Sequence, residues 1–403
     1  MKILAAIPLQ YWDGGGFWDR DLGLVVLALR SAGHDAFFVA LGDQQDPGDR
    51  PLKVVSRKVM ADPGWWKAQQ ADAIILNTWS ATRFHDIRSA ALSTGCPVIE
   101  KMDTDGVRSP RVWFWQYVVE NWSANRDHSS LLRRSFAAPL AIFRACVLWS
   151  FPRLLDARLA AVMAGTPILA VESPIAVERI KRFIRDRGEP VPRLVCIPHA
   201  VNEQFRHSTE SIRTNKLIAV GRWAAHQKNF PLLLKVLDGF LRLHPNWSAE
   251  VVGGLPEDAE SQIARLSSGS RKRIEFAGRV SHQELAPHYQ TARIFVMTSR
   301  FESFNIAAAE ALCCGCSVVG PAEIPSMPFF ARESSGSLAS RNSYAHMLDA
   351  LCAEAEAWRQ GHRDPSKISA LWQETVGAHA VAARFVRVIE SFRAIHANSD
   401  PDA

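Results

Sequence analysis

Long apolar runs are missing from the 403-residue chain. No stretch reaches the roughly 18 residues that a membrane-spanning helix needs. The nearest one, residues 136–149 (FAAPLAIFRACVLW), is broken by Pro139 and Arg144. Cysteine is scarce and badly placed for a structural role: there are seven, an odd number, and Cys313, Cys314 and Cys316 crowd together. That pattern excludes a disulfide framework, and no second cluster completes a zinc knuckle. Reduced, buried thiols and a cytoplasmic location are expected. The opening MKILAAIPLQYWDGGG carries one Lys and a short apolar run. It lacks the longer core and cleavage site of a signal peptide and reads as a first strand. Strong charge is absent too: the net charge is +6 and the pI about 9.0. This mild excess suits phosphates, nucleic acid or an anionic membrane surface. No nucleic-acid motif appears, so a nucleic-acid partner is not expected. With 47% hydrophobic and 22% charged residues, disordered and collagen-like classes are excluded.

What is present is a repeated α/β pattern. Lys2 to Leu9 reads as a strand, Gly14-Gly15-Gly16 as a turn, the following stretch as a helix, and Ala36–Leu41 as a second strand. That is a βαβ unit, with glycines where backbone can approach a ligand. Strands at 73–76, 97–101 and 168–171 continue it, and another ends at Pro198-His199-Ala200. After a polar run at 206–215 the pattern restarts with strands at 216–220, 249–252, 274–277, 294–298 and 317–319. Two such blocks predict an α/β fold of two Rossmann-like domains facing a cleft, 1–205 and 206–378. Ligands of open α/β sheets sit at the carboxyl ends of strands, so Asp103 and Asp105, after the strand at 97–101, face that cleft. Three readings stand for them: a metal-binding pair, a plain turn at Asp105-Gly106, or an acceptor-side base. A metal is not expected, because two carboxylates alone make a poor hard-cation site. Residues 110–165 mix Trp113, Trp115, Trp122 and Trp149 with arginines. They read either as a segment lying in an anionic membrane interface or as packed helices with solvated basic faces.

The sharpest chemistry lies in the second block. Arg222 and Lys228 follow the strand at 216–220. A planar fork and a point charge fixed at a strand end suit a diphosphate and the charge that develops on it as it leaves. Glu302 precedes a predicted helix from Asn305 to Cys314, and Glu310 lies within it. Ala307-Ala308-Ala309 lets a ligand come close, and the helix N-terminus offers free N–H groups to a phosphate. Two carboxylates are pure acceptors for sugar and ribose hydroxyls.

Glu302 and Glu310, separated by seven residues and followed by Gly315-Cys316-Ser317, resemble the signature of GT-B glycosyltransferases of glycosyltransferase family 4. VGRWAAHQKN (220–229), FAGRVSHQELAPHYQTARIFVMTS (276–299), IPHAVNEQF (197–205) and the initial glycine loop and helix are similar to further segments of that family. Helix 379–395 resembles its helix that crosses back onto the first domain. The likeness covers most of the chain and is weakest in 110–165.

The resemblance implies retaining sugar transfer from a nucleoside-diphosphate sugar without a metal or other cofactor. It places Arg222 and Lys228 on the diphosphate, Glu302 on the donor sugar and Glu310 on the ribose. The backbone around Phe304, Asn305 and Ile306 would cap the phosphates. Val280 would meet the base with Leu285 nearby, and Gly15 and Gly16 would approach from the first domain. Asp103 stands where the family has a polar residue near its fourth strand, which makes it the candidate catalytic group alongside Glu302, Arg222 and Lys228. Asn305 replaces a usual Gly, and His199-Ala200 replaces a usual Asn-Gly. The acceptor is expected to be a lipid-linked or cell-surface glycan, with the protein cytoplasmic or peripheral on the inner membrane face. Alternatives are a small-molecule or modified nucleic-acid acceptor, a nucleotide-sugar epimerase, and a non-catalytic GT-B binding module.

Overall fold

A computed structural model describes residues 1–12, 16–20, 22–42, 49–106, 112–126 and 136–397. Among them, thirteen strands form two sheets in which every pairing is parallel. The first contains β1 (Lys2–Gln10), β2 (Asp35–Leu41), β3 (Leu52–Val55), β4 (Ala73–Leu76), β5 (Val98–Met102), β6 (Ile168–Val171) and β7 (Arg193–Cys196). Their spatial order is β3-β2-β1-β4-β5-β6-β7. The second contains β8 (Lys216–Val220), β9 (Ser248–Val252), β10 (Ile274–Gly278), β11 (Ile294–Val296), β12 (Ser317–Pro321) and β13 (Gly336–Ala339), ordered β10-β9-β8-β11-β12-β13. This is the α/β architecture that the sequence predicts. Two strands escape the sequence pattern, β3 and β13, both four residues long at sheet edges.

Strands covered by helices on both faces need continuous apolar sequence. AIIL in β4 and ILAV in β6 are buried at every residue. Apolar side chains pack on both faces of each sheet. Where β8 and β9 end, the two backbones nearly touch. Gly253 has φ +122°, and a Cβ there would lie 1.8 Å from the Gly221 carbonyl oxygen, so only glycine fits.

The cysteine expectation needs correction. All seven are free, but only Cys313, Cys314 and Cys316 are buried; Cys96 and Cys352 are half-buried, and Cys146 and Cys196 are exposed.

The chain crosses between the sheets twice, and the crossings touch. The Val201 N–H donates to the Val376 carbonyl at 2.8 Å, and the Ala378 N–H donates to the Val201 carbonyl at 3.1 Å. After the second crossing, helix Ala378–Ala397 packs against helix Leu22–Ser31 and places Val381, Ala382, Phe385 and Ile389 in the core of the first sheet. The last helix is therefore a structural part of the first domain. Phe385 is fully buried there, so Phe385→Ala is expected to cost about 3–5 kcal/mol of stability. A chemical-denaturation midpoint equal to that of the wild type would show that this packing is dispensable.

Candidate active site

Both sheets reverse their strand order once, between β1 and β4 and between β8 and β11. Connections leave in opposite directions at such a point and open a crevice at the carboxyl ends of the strands. Arg222 and Lys228 follow β8, while Glu302 and Asn305 follow β11, so the topology delivers all four to one crevice. Lys228 Nζ lies 2.6 Å from Glu302 Oε1. Gln227 Nε2 donates to the other carboxylate oxygen at 3.0 Å and to the Phe301 carbonyl at 2.8 Å. Glu302 is thus buried with a partner on each carboxylate oxygen, and each oxygen keeps a second lone pair. The Lys228 stem lies over Gly221, whose Cβ position would be 3.4 Å from Lys228 Cδ. Arg222 is exposed, with no side-chain ion pair among the described residues.

Asn305 sits at φ 72°, ψ 76°, the left-handed region, where Asn is tolerated better than most residues. Its side chain caps helix Ile306–Cys313 by accepting from the Ala308 N–H at 3.3 Å. The Asn replacement for Gly therefore fits the backbone. Glu310, one turn further in, is buried. It accepts from Tyr289 Oη at 3.0 Å and pairs with His282 Nε2 at 2.9 Å. Burial, reinforced by the Glu310 carboxylate, pushes the Tyr289 phenol well above its ordinary value. Tyr289 therefore stays a donor.

The other expected donor contacts divide. Val280 is half-buried against the second-domain core. Leu285 was expected beside the base, but its side chain is buried in that core, and so is that of Phe304. Phe304 is left with its backbone to offer. Gly16 has φ +70°, and its carbonyl accepts the Asp19 and Arg20 N–H groups. Gly15 lies outside the described residues.

Across the cleft, Asp103 follows β5. It accepts from Trp79 Nε1 at 3.0 Å and Asn77 Nδ2 at 3.3 Å, both from the end of β4. Lys101 Nζ is 2.6 Å from it and His199 Nε2 3.1 Å. His199 Nε2 also lies 2.8 Å from Glu172 Oε1. Burial opposes the ionisation of Asp103, but Lys101 and His199 outweigh it and hold the carboxyl well below its ordinary range. Burial and Lys101 both disfavour the imidazolium of His199. Glu172 and Asp103 overcome them and raise it to about 9. Burial also pushes the Glu172 carboxyl up.

Asp103, Glu172 and His199 present metal-type ligand atoms within 4.8 Å of one another. They fit a divalent ion poorly. The Lys101 ammonium stands among them, 3.3 Å from His199 Nε2 and 3.7 Å from Glu172, and supplies the compensating charge. Asp105, the second carboxylate of the metal reading, is buried outside this group. The His199 ring also faces Phe304 at 5.8 Å, so the cluster touches the second domain.

Known proteins resemble the chain in sequence and in fold. Residues 214–353 match the family model described as glycosyl transferases group 1. The match runs over all six strands of the second sheet and the loops that follow β8 and β11. Over 129 residues the chain is 30% identical to a phosphatidylinositol N-acetylglucosaminyltransferase component from Arabidopsis thaliana, covering 30% of this chain and 28% of that one. Over 147 residues it is 29% identical to GDP-mannose:cellobiosyl-diphosphopolyprenol alpha-mannosyltransferase of Xanthomonas campestris, covering 35% and 38%. The chain spans less than two-fifths of the length of the curated relatives it matches. Alr3699/HepE of Anabaena, solved with UDP-glucose, superposes with a TM-score of 0.65 at 14% identity, covering 97% of this chain and all of that one. The shared fold is GT-B.

Sequence reasoning missed Glu172 altogether and noted His199 only at a strand end and as a departure from the family. Lys101 and His199 are 98 positions apart, and nothing local joins them. The departure at His199 was the one readable signal.

His199 sits above its ordinary value of 6.5. Its contribution to stability is therefore complete below about pH 6.5 and lost as pH rises through about 9. The stability advantage of the wild type over His199→Asn should be full at pH 6 and shrink across that window in urea titrations. A pH-independent difference would remove the charged imidazolium from the account.

Proposed function

We propose that the chain is a retaining glycosyltransferase that takes a sugar from a nucleoside-diphosphate donor and needs no metal. The observation that carries this reading is the Lys228–Glu302 pair at the switch point of the second sheet, with Arg222 exposed on the same loop. Arg222 and Lys228 bind the diphosphate, and the N-terminus of helix Ile306–Cys313 adds its N–H groups and dipole. Glu302 accepts from the donor sugar and Glu310 from the ribose. The bond from the anomeric carbon to the phosphate oxygen breaks while the acceptor oxygen bonds the same face. The acceptor proton passes to the departing phosphate, whose growing charge the two cations offset. Asp103, kept ionised, orients the acceptor side. Lys101 supplies positive charge beside it, which supports chemistry without a metal. UDP-glucose in the Anabaena neighbour supports a nucleoside-diphosphate donor.

The acceptor in this reading is borne on a membrane. Among the described residues no single helix is long and apolar enough to span one. Helices Phe114–Arg126 and Ala137–Ser150 pack through Val118, Ala141 and Ala145, with Phe114 and Tyr117 against them. Other large apolar side chains on and beside them are left outside: Trp113, Trp115, Phe143, Phe151 and Leu154 are each more than half exposed. Arg144, Arg153 and Arg158 are exposed among them. Helix Pro152–Ala164 turns 84° from its predecessor. A bent apolar surface studded with arginine suits an anionic interface. Two relatives are named for phosphatidylinositol and a diphosphopolyprenol, which favours a lipid-linked glycan acceptor.

Two experiments test the two halves. UDP, GDP and ADP are screened by thermal shift. One of them should stabilise the wild type and Arg222→Ala much less, and Lys228→Ala should lower kcat by about 10²–10³-fold. Absence of binding by all three would instead favour a non-catalytic scaffold. Sedimentation with phosphatidylglycerol vesicles should pellet the protein at low salt, and Trp115→Ala/Phe143→Ala should release it. A wild type left in the supernatant would return the segment to ordinary helix packing.

A further inference from the structure

We infer that His282 is the positioning residue that presents Glu310 to the ribose of the donor, with its tautomer fixed from the interdomain connection by Gln204. The inference rests on the assignment of Glu310 to the ribose.

Glu310 is held by two donors from outside its own helix. Tyr289 occupies Oε2 and His282 Nε2 meets Oε1 at 2.9 Å. A carboxylate only accepts, so Nε2 of His282 must carry the proton. The opposite nitrogen decides whether the ring is neutral. Gln204 Nε2 lies 2.7 Å from the His282 carbonyl oxygen and 3.4 Å from His282 Nδ1. Facing a carbonyl, that Gln204 atom is the amide nitrogen, because an oxygen there would repel it. It therefore donates towards Nδ1, which accepts and carries no proton. The proton thus sits on Nε2, the nitrogen that meets Glu310.

The ring is also fixed in place. His282 packs edge-on against Phe205 at 4.8 Å between centroids, and Phe205 is fully buried. Gln204 and Phe205 belong to the segment that joins the two sheets, just past the Val201 crossing. The proton-bearing edge of His282 is thus set by the connection between domains, while its function is on the donor. Each Glu310 oxygen has a second lone pair left. With one lone pair on each oxygen occupied, the carboxylate plane cannot rotate, and the free lone pairs point in fixed directions. Two adjacent ribose hydroxyls are the ligand chemistry that such a pair fits.

The test separates ribose recognition from donor binding in general. UDP, GDP and ADP are titrated against the complete wild-type chain alongside their 2′,3′-dideoxy counterparts, and the tightest pair is carried forward. The wild type should prefer the ribose form at least about tenfold, the worth of one charge-assisted hydrogen bond. His282→Ala should reduce that preference to about threefold or less while leaving dideoxy affinity unchanged. His282→Gln, which keeps an N–H near the same place, should restore most of it, a rescue that general loss of structure would not allow. Gln204→Ala should fall between. A ribose preference that survives intact in a folded His282→Ala overturns the inference. Equal binding of both forms by the wild type overturns the Glu310 assignment and the inference with it. Failure of all three nucleotides to bind overturns the donor reading at its root.

Discussion

Parallel pairing governs everything else in this molecule. A parallel sheet covered on both faces favours apolar side chains along its strands, and a charged exception such as Lys101 in β5 is buried only with paired partners. Chemistry is pushed to the carboxyl ends, and among those ends the place where strand order reverses stands open. Both sheets meet this constraint in the same way. The second gathers Lys228, Glu302 and Arg222 after β8 and β11; the first gathers Asn77, Trp79 and Asp103 after β4 and β5. His199, paired with Asp103, also packs on Phe304 and so links the two halves.

Charge is handled differently on the two sides of the cleft. In the second domain a single lysine meets a single glutamate, and an exposed arginine remains for a ligand. In the first domain two carboxylates, an ammonium and an imidazolium compensate one another out of water. Removing any one of four buried charges strands the others, which makes such a group strongly interdependent. The first arrangement is suited to accept a charged ligand. The second is suited to hold one carboxylate, Asp103, in a fixed state and place.

The sequence was most readable where function is local. Glu302 and Glu310 lie within one loop and one helix, and the apolar setting of Glu310 already marked it as buried. Asn305 in place of a usual Gly was a local sign of an unusual backbone angle, and the structure shows it to be a left-handed cap. The strands β4 and β6 announced themselves by unbroken apolar runs. Partners across long stretches of chain were not readable. Glu172 looks like any residue at a strand end until β5, β6 and β7 are laid side by side. His282 meets Glu310 only because the loop before helix Leu285–Thr291 folds over the signature helix. The edge strands β3 and β13 were missed because LKVV and GSLA, as short as AIIL and ILAV, are interrupted by polar residues and glycine. The burial of the Leu285 side chain was not readable either: nearness in sequence to the donor loop does not say which way a side chain points.

The last helix has a consequence for how the protein is made. Its side chains complete the core around β1 and helix Leu22–Ser31, yet they leave the ribosome after the whole second domain. The first domain, begun earliest, cannot close its core until synthesis has passed Ile389. Until then an apolar groove waits on that face of the N-terminal sheet, while the second domain already has every residue it needs. Order of synthesis and order of completion are therefore reversed between the two halves.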